Sequence, residues 1–97
     1  MTITQSLNDK TCTLLVEGRI DTLTSAELEQ AVNTNAPLCE KLVLDLAGVD
    51  YISSAGIRAV LNARKTVGGG NLTLRNLNRN VFEIFKMTGF TKVLNIE

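Results

Sequence analysis

Two adjacent serines, Ser53 and Ser54, follow a strand-like segment and open a helix-like one. A serine at the N-cap accepts a hydrogen bond from a first-turn amide. With Ser53 as the N-cap, Ser54 falls at the first helical position, where its hydroxyl is available. The amides and the dipole of a helix N-terminus favour negative charge by about 0.3–1 kcal/mol. The pair therefore indicates a phosphate acceptor at Ser54, although two serines that open a helix are also typical of a plain cap.

Asp21 is the second candidate, because it ends the segment Val16–Asp21 just before the first helical segment. Gly18 in this segment permits a tight exit from a strand. Two interpretations stay open: the carboxylate of Asp21 caps the following helix, or it lines a site beside the two serines. The sequence alone does not bring these segments together.

A polar stripe follows on the same predicted helix as the serines. Arg58, Asn62 and Lys65 have the i, i+4, i+7 spacing that places side chains on one helix face. Such a stripe is either a solvated face or a polar rim for a protein partner.

The composition excludes several kinds of chemistry. The chain has no histidine, which rules out serine–histidine and cysteine–histidine catalysis and His-ligated zinc. Ten basic and ten acidic residues give a net charge of zero, so we expect no binding to nucleic acid or to a membrane surface. Cys12 and Cys39 lack CxxC spacing and are expected to be reduced thiols.

Weaker catalytic and ligand-binding interpretations are also disfavoured. A hydrolase with Ser54 as nucleophile and Lys65 as base would need groups about 16 Å apart along one helix to meet. The glycines 68–70 precede a strand and do not form a phosphate loop. A nucleotide phosphate on the first turn at Ser53 would lack a basic side chain to hold it. The chain has no apolar run long enough for a bilayer and no signal-peptide pattern, so we expect a cytoplasmic protein that is not an enzyme.

Alternating apolar patterns must supply the scaffold for these residues. Five strands are predicted, namely Thr2–Leu7, Thr11–Glu17, Lys41–Leu46, Asn71–Arg75 and Val93–Ile96. The order ββαβαβαβ over residues 1–97 predicts one α/β domain, with a mixed, mostly parallel sheet and an antiparallel hairpin at one side. We expect the helices to pack on one face, because so short a chain cannot easily cover both.

Three helix starts share one pattern, in which a capping residue lies between apolar residues at N′ and N4. The predicted caps are Thr24, with Glu27 as its capping-box partner, Ser53 and Asn78. We expect the first helix to stop near residues 33–35, the second at glycines 68–70, and the third at Gly89. Arg64 interrupts the apolar stripe of the second helix, and only a snorkelling stem accounts for it at this level.

Three blocks in this order resemble the STAS domain of anti-sigma factor antagonists. They are Leu15–Asp21, ending in Gly-Arg-Ile-Asp, Leu42–Ile57, with Ser-Ser-Ala-Gly, and Phe85–Phe90, with Thr-Gly-Phe. The resemblance covers about residues 3–96 and implies a STAS-type fold. Aligning the family's glycine with Gly56 places the phosphate acceptor at Ser54. This sequence departs from the family at Ser53, where the family often has aspartate, and Ser53 is the alternative acceptor.

The resemblance implies a bacterial regulator of transcription, active in stress responses, that works by partner switching. The unphosphorylated form would bind an anti-sigma factor that is also a GHKL-type serine kinase, and would thereby release a sigma factor. Phosphorylation of Ser54 would disable it, and a serine phosphatase would restore it. The protein would be a monomeric substrate and ligand without cofactor or metal. The expected partner surface comprises Asp21, Ser53, Ser54, Ala55, Gly56, Arg58, Asn62 and Lys65. The alternative is a docking subunit of a lipid-transport or sensor complex with no required phosphorylation cycle.

Overall fold

Five strands form one sheet in the order in which they occur in the chain. The computed structural model describes all residues from 1 to 97. The strands are β1 (Thr2–Asn8), β2 (Thr11–Ile20), β3 (Lys41–Ile52), β4 (Leu72–Arg75) and β5 (Asn95–Ile96), and the helices are α1 (Ser25–Asn35), α2 (Ser54–Val67) and α3 (Arg79–Met87). β1 and β2 pair antiparallel, and all other neighbours pair parallel. The α/β class, the element order and the edge hairpin are as predicted.

The helices cover one face of the sheet. Each helix joins two parallel neighbours and steps in the same direction across the sheet, so right-handed connections place all three helices on the same side. Leu14 and Leu44 are opposite each other on that side and are fully buried. Thr13 and Thr73 point to the other side and are half-exposed. The core therefore lies between the sheet and the helices, and the second sheet face is open.

β2 and β3 run further than their apolar patterns predicted. β2 continues to Ile20 and β3 to Ile52, so the predicted strand ends at Glu17 and Leu46 are wrong. Their pairing shifts register twice, and Gly18 at the second shift has a φ of 110°. Each bulge interrupts the two-residue alternation, so the pattern ends before the strand does. The extension carries β3 directly to the two serines.

Two of the three predicted caps are confirmed. The Oγ of Ser53 accepts a hydrogen bond from the amide of Gly56 at 3.2 Å, and the Oδ1 of Asn78 accepts one from Val81 at 2.8 Å. The cap at Thr24 is wrong, because its backbone is helical and its hydroxyl donates to the carbonyl of Arg19 at 2.7 Å. The hydrophobic staple is absent there as well, since the preceding Leu23 is 85% exposed.

The helix ends agree with the sequence. α1 ends at Asn35 and α2 at Val67, and Gly89 after α3 adopts the left-handed conformation with a φ of 82°. The guanidinium of Arg64 lies over Gly69, where an added Cβ would be 3.0 Å from Nη2. The head of this side chain therefore closes over the turn after α2, and its Nε is buried there without a hydrogen-bond partner. None of the helices has the length and hydropathy needed to cross a bilayer.

Candidate functional site

The carboxyl ends of β2 and β3 meet beside the start of α2. The amide of Ser53 donates to the carbonyl of Ile20 at 2.8 Å, which continues the strand pairing by one bond. Asp21 directly follows Ile20, and Ser54 directly follows Ser53. We call Asp21, Ser53 and Ser54 the strand-end site. The structure thus brings together two segments that the sequence alone left apart.

The two serines have different structural roles, as the capping pattern predicted. Ser53 is half-buried, has an extended backbone (φ −92°, ψ 175°), and its hydroxyl is used by the Gly56 amide. Ser54 is the first residue of α2 and is exposed. A phosphate on Ser54 would therefore enter solvent at a helix N-terminus without removing the cap.

Replacing each serine by alanine separates these tasks. Ser53→Ala is expected to lower the free energy of unfolding by about 1 kcal/mol, because the Gly56 amide loses its acceptor. Ser54→Ala is expected to change it by less than about 0.5 kcal/mol, as for most exposed substitutions. Urea unfolding followed by circular dichroism measures both, and equal losses in the two variants would contradict the assignment of the cap to Ser53.

Asp21 fixes the turn between β2 and α1. Its Oδ1 accepts hydrogen bonds from the amides of Thr24 and Leu23, both at 3.0 Å. The bond from Thr24 is the main cause that holds the pKa of Asp21 below its usual range, and the bond from Leu23 adds to it. The guanidinium of Arg19 is 3.6 Å from Oδ2 and also lies over the ring of Tyr51, 4.5 Å from its centroid. Asp21 therefore does not cap α1 itself but holds the turn beside Ser53.

The lowered pKa of Asp21 predicts a pH dependence of stability. Between the folded and the unfolded pKa of Asp21, the unfolded chain binds more protons than the folded one. The stabilisation of the fold by the Asp21 carboxylate is therefore complete above about pH 4, and it is lost as the pH falls through the folded pKa. In Asp21→Asn this contribution is absent. Urea unfolding between about pH 5 and pH 2 should therefore show a steeper loss for the wild type than for the variant. Parallel curves would show that the Asp21 carboxylate does not contribute.

A groove of about 280 Å³ lies next to Ser54, between α2 and the segment that follows α3. Its lining residues are Ser54, Ile57, Arg58, Leu61, Thr88 and Phe90. The sequence assigned Leu61 no role in a site, and residues 88–90 served as a family motif and, at Gly89, as the end of the third helix. That Thr-Gly-Phe block was the available signal, because its Phe90 had no packing role assigned to it.

The other candidate residues lie in different environments. Ala55 is half-buried, and Arg58 and Lys65 are exposed. Gly56 is buried and packs closely against Ile20 and Ile52 at the ends of β2 and β3, and the partner contact expected of it stays a prediction. The amide of Asn62 donates to Glu29 of α1 at 3.1 Å, over a second groove of about 180 Å³ that separates α1 from α2. Of the polar stripe, only Arg58 lines the groove beside Ser54.

Comparison with known proteins assigns this arrangement to a family. The STAS domain model matches residues 3–97, and the chain belongs to the STAS domain family. A relative from Bordetella bronchiseptica, which bears the name of an anti-sigma factor antagonist, BtrV, is 31% identical over 99 residues, spanning 99% of this chain and 85% of the relative.

Solved structures agree on the fold. A crystal structure of an anti-sigma factor antagonist from Mycobacterium paratuberculosis superimposes with a TM-score of 0.88 at 24% identity, covering 98% of this chain and 83% of that one. The phosphorylated form of the Bacillus cell fate determinant SpoIIAA has a TM-score of 0.73 at 12% identity, covering 99% of this chain and 91% of that one. These similarities show that the chain shares its overall fold with both proteins.

Proposed function

We propose that this protein is an anti-sigma factor antagonist switched by phosphorylation of Ser54. The observation that carries the proposal is the exposed Ser54 at the first position of α2, immediately after a neighbouring serine that caps the helix. The name of the relative BtrV supports the role. In the unphosphorylated form the protein binds an anti-sigma factor that is also a GHKL-type serine kinase, and a sigma factor is released.

The partner surface is centred on Ser54 and the groove beside it. Ile57, Leu61 and Phe90 give the groove an apolar lining, and Arg58 supplies a positive charge at its edge. An apolar segment of the anti-sigma factor, with an acidic side chain for Arg58, fits this combination. Asp21 and Ser53 lie on the strand-end side of the same helix start.

Phosphorylation acts at the centre of this surface. Moving a complex from mostly formed to mostly absent requires a change of about 100- to 10,000-fold in affinity, which is roughly 2.7–5.5 kcal/mol. The helix dipole supplies only about 0.3–1 kcal/mol, and it stabilises the free phosphoprotein. The larger part must come from placing about −1.5 to −2 charges inside the interface. Arg58, one helical turn beyond Ser54, would be drawn to that phosphate and away from the partner.

The chain acts as substrate and ligand in this cycle, and its partners supply the chemistry. The kinase transfers a phosphoryl group from ATP to the Ser54 hydroxyl, whose proton is lost. A serine phosphatase removes the phosphate by hydrolysis and restores the binding form. The protein itself needs no cofactor, and a monomer with one serine is sufficient for the switch.

Intact-mass spectrometry of the protein from its native host, with phosphopeptide mapping of residues 42–64, tests this function. We expect a phosphorylated fraction with the phosphate on Ser54, and its loss in Ser54→Ala. Ser53→Ala is the matched control. It removes the neighbouring hydroxyl and keeps Ser54, so this variant should still be phosphorylated. Phosphate on Ser53 would overturn the assignment of the acceptor. Absence of phosphate on both serines during growth and stress would favour a docking role without a phosphorylation cycle.

A further inference from the structure

The two cysteines meet at the end of the sheet opposite to Ser54. Cys12 is the second residue of β2, and Cys39 lies two residues before β3 begins. Both thiols donate to the same acceptor, the carbonyl oxygen of Asn35, at 3.7 Å from Cys12 Sγ and 3.4 Å from Cys39 Sγ. The shared acceptor therefore places both sulfur atoms around one carbonyl oxygen. Residues 27 positions apart in the chain are thus neighbours in the fold.

The surroundings of the pair are ordered. Asn35 is almost completely buried, and its side-chain amide donates to Gln5 of β1 at 2.9 Å and to the carbonyl of Ala31 at 2.8 Å. These bonds fix the end of α1, and with it the carbonyl that both thiols share. The sulfur atoms are therefore held close together by the backbone around them.

The two thiols differ in access. Cys12 is fully buried, and Cys39 is half-buried. Burial raises the pKa of the Cys12 thiol to about 11, and the adjacent Cys39 adds to the rise. An external reagent therefore meets Cys39 first, and Cys12 reacts only when an electrophilic sulfur is already beside it.

We propose that Cys12 and Cys39 form a reversible dithiol–disulfide site that is oxidised by low-molecular-weight disulfides. The Cys39 thiolate attacks the reagent RSSR, forms a Cys39–S–SR bond and releases RS⁻. The Cys12 thiolate then attacks Cys39 Sγ, forms the Cys12–Cys39 bond and releases the second RS⁻. The protein loses two electrons and two protons, and the reagent becomes two RSH. The site is independent of phosphorylation, because Ser54 lies at the other end of the sheet.

The disulfide would close a loop that contains all of α1 and the turn held by Asp21. Cross-links of this span restrict the unfolded chain more than the folded one. For a domain of this size we expect the melting temperature to rise by about 10 °C on oxidation and to return on reduction with dithiothreitol.

Incubation of the purified protein with oxidised glutathione tests the proposal. We expect the monomer to become lighter by two hydrogen atoms, with a Cys12–Cys39 cross-linked peptide in a non-reducing digest. A monomer that ends as a stable glutathione adduct on Cys39, or that stays unmodified while an exposed model thiol reacts, would overturn the proposal. A covalent dimer as the main product would overturn it as well.

Two single variants provide the matched controls. Cys12→Ala leaves the accessible thiol without its partner and should accumulate the glutathione adduct on Cys39. Cys39→Ser leaves only the buried thiol and should stay unmodified over the same time. Circular dichroism of both variants establishes that they are folded before the reaction. Loss of the same two hydrogen atoms in either variant would exclude this pair as the source of the disulfide.

Discussion

Ser54→Asp is expected to weaken binding of the anti-sigma factor at least about 100-fold, which corresponds to about 2.7 kcal/mol. Ser54 is exposed at the first position of α2 and lines the apolar groove beside it. A carboxylate there would be removed from water against the partner, which is costly, and it would draw Arg58 away from the partner's acidic side chain. Isothermal titration calorimetry with the purified anti-sigma factor of the native host, the proposed partner, measures the effect.

Two variants make this result specific. Ser54→Ala should bind within about threefold of the wild type, since it removes one hydroxyl and adds no charge. Ser6→Asp places the same new charge on an exposed serine of β1 and should also leave the affinity unchanged. Equal affinity of Ser54→Asp and the wild type would show that charge at this position does not control the complex. If Ser6→Asp lowered the affinity as well, the loss would come from the net charge of the protein rather than from a charge beside the groove.

Gly56→Ala is expected to lower the free energy of unfolding by about 3 kcal/mol, the largest loss that a single added methyl group should cause in this domain. A Cβ on Gly56 would lie 2.7 Å from Ile20 Cγ2, 2.7 Å from Ile52 Cγ1 and 2.8 Å from the Ile20 carbonyl oxygen. The backbone oxygen cannot move aside without breaking its bond to the Ser53 amide. The start of α2 would have to lift off the strand ends.

Gly70→Ala is the matched control, because a Cβ at Gly70 would meet no atom within 4 Å. Its free energy of unfolding should stay within about 0.5 kcal/mol of the wild-type value. Urea unfolding followed by circular dichroism measures both variants. Similar stability of the two variants would mean that the fold does not require the close approach of α2 to the strand ends at Gly56. The glycine of the Ser-Ser-Ala-Gly block would then need another explanation.

The capping pattern in the sequence predicted a helix start correctly where the capping side chain has no competing hydrogen-bond partner. Ser53 and Asn78 each find a first-turn amide three residues ahead, and both cap as expected. Thr24 has the same pattern, but its hydroxyl is used by the Arg19 carbonyl and the Asp21 amide. That competition depends on how β2 ends, and this information lies outside the capping pattern.

The ends of the strands and the groove depend on contacts between distant segments. β3 continues to Ile52 because β2 and the side chain of Asn78 supply partners for its backbone, which no local alternation shows. The position of Ser54 could be predicted, since one cap and one helix determine it. Its groove could not, because Phe90 reaches it from a segment more than thirty residues away.

The stacking of Arg19 on Tyr51 has an optical consequence. The chain has one tyrosine and no tryptophan. When tyrosine is excited, the intrinsic fluorescence of the protein therefore comes from the single ring of Tyr51. That ring is 37% exposed and stands two residues before Ser53. The protein therefore carries a native fluorophore at the strand-end site. Partner docking, or a charge that disturbs Arg19, can be followed by its emission without any label.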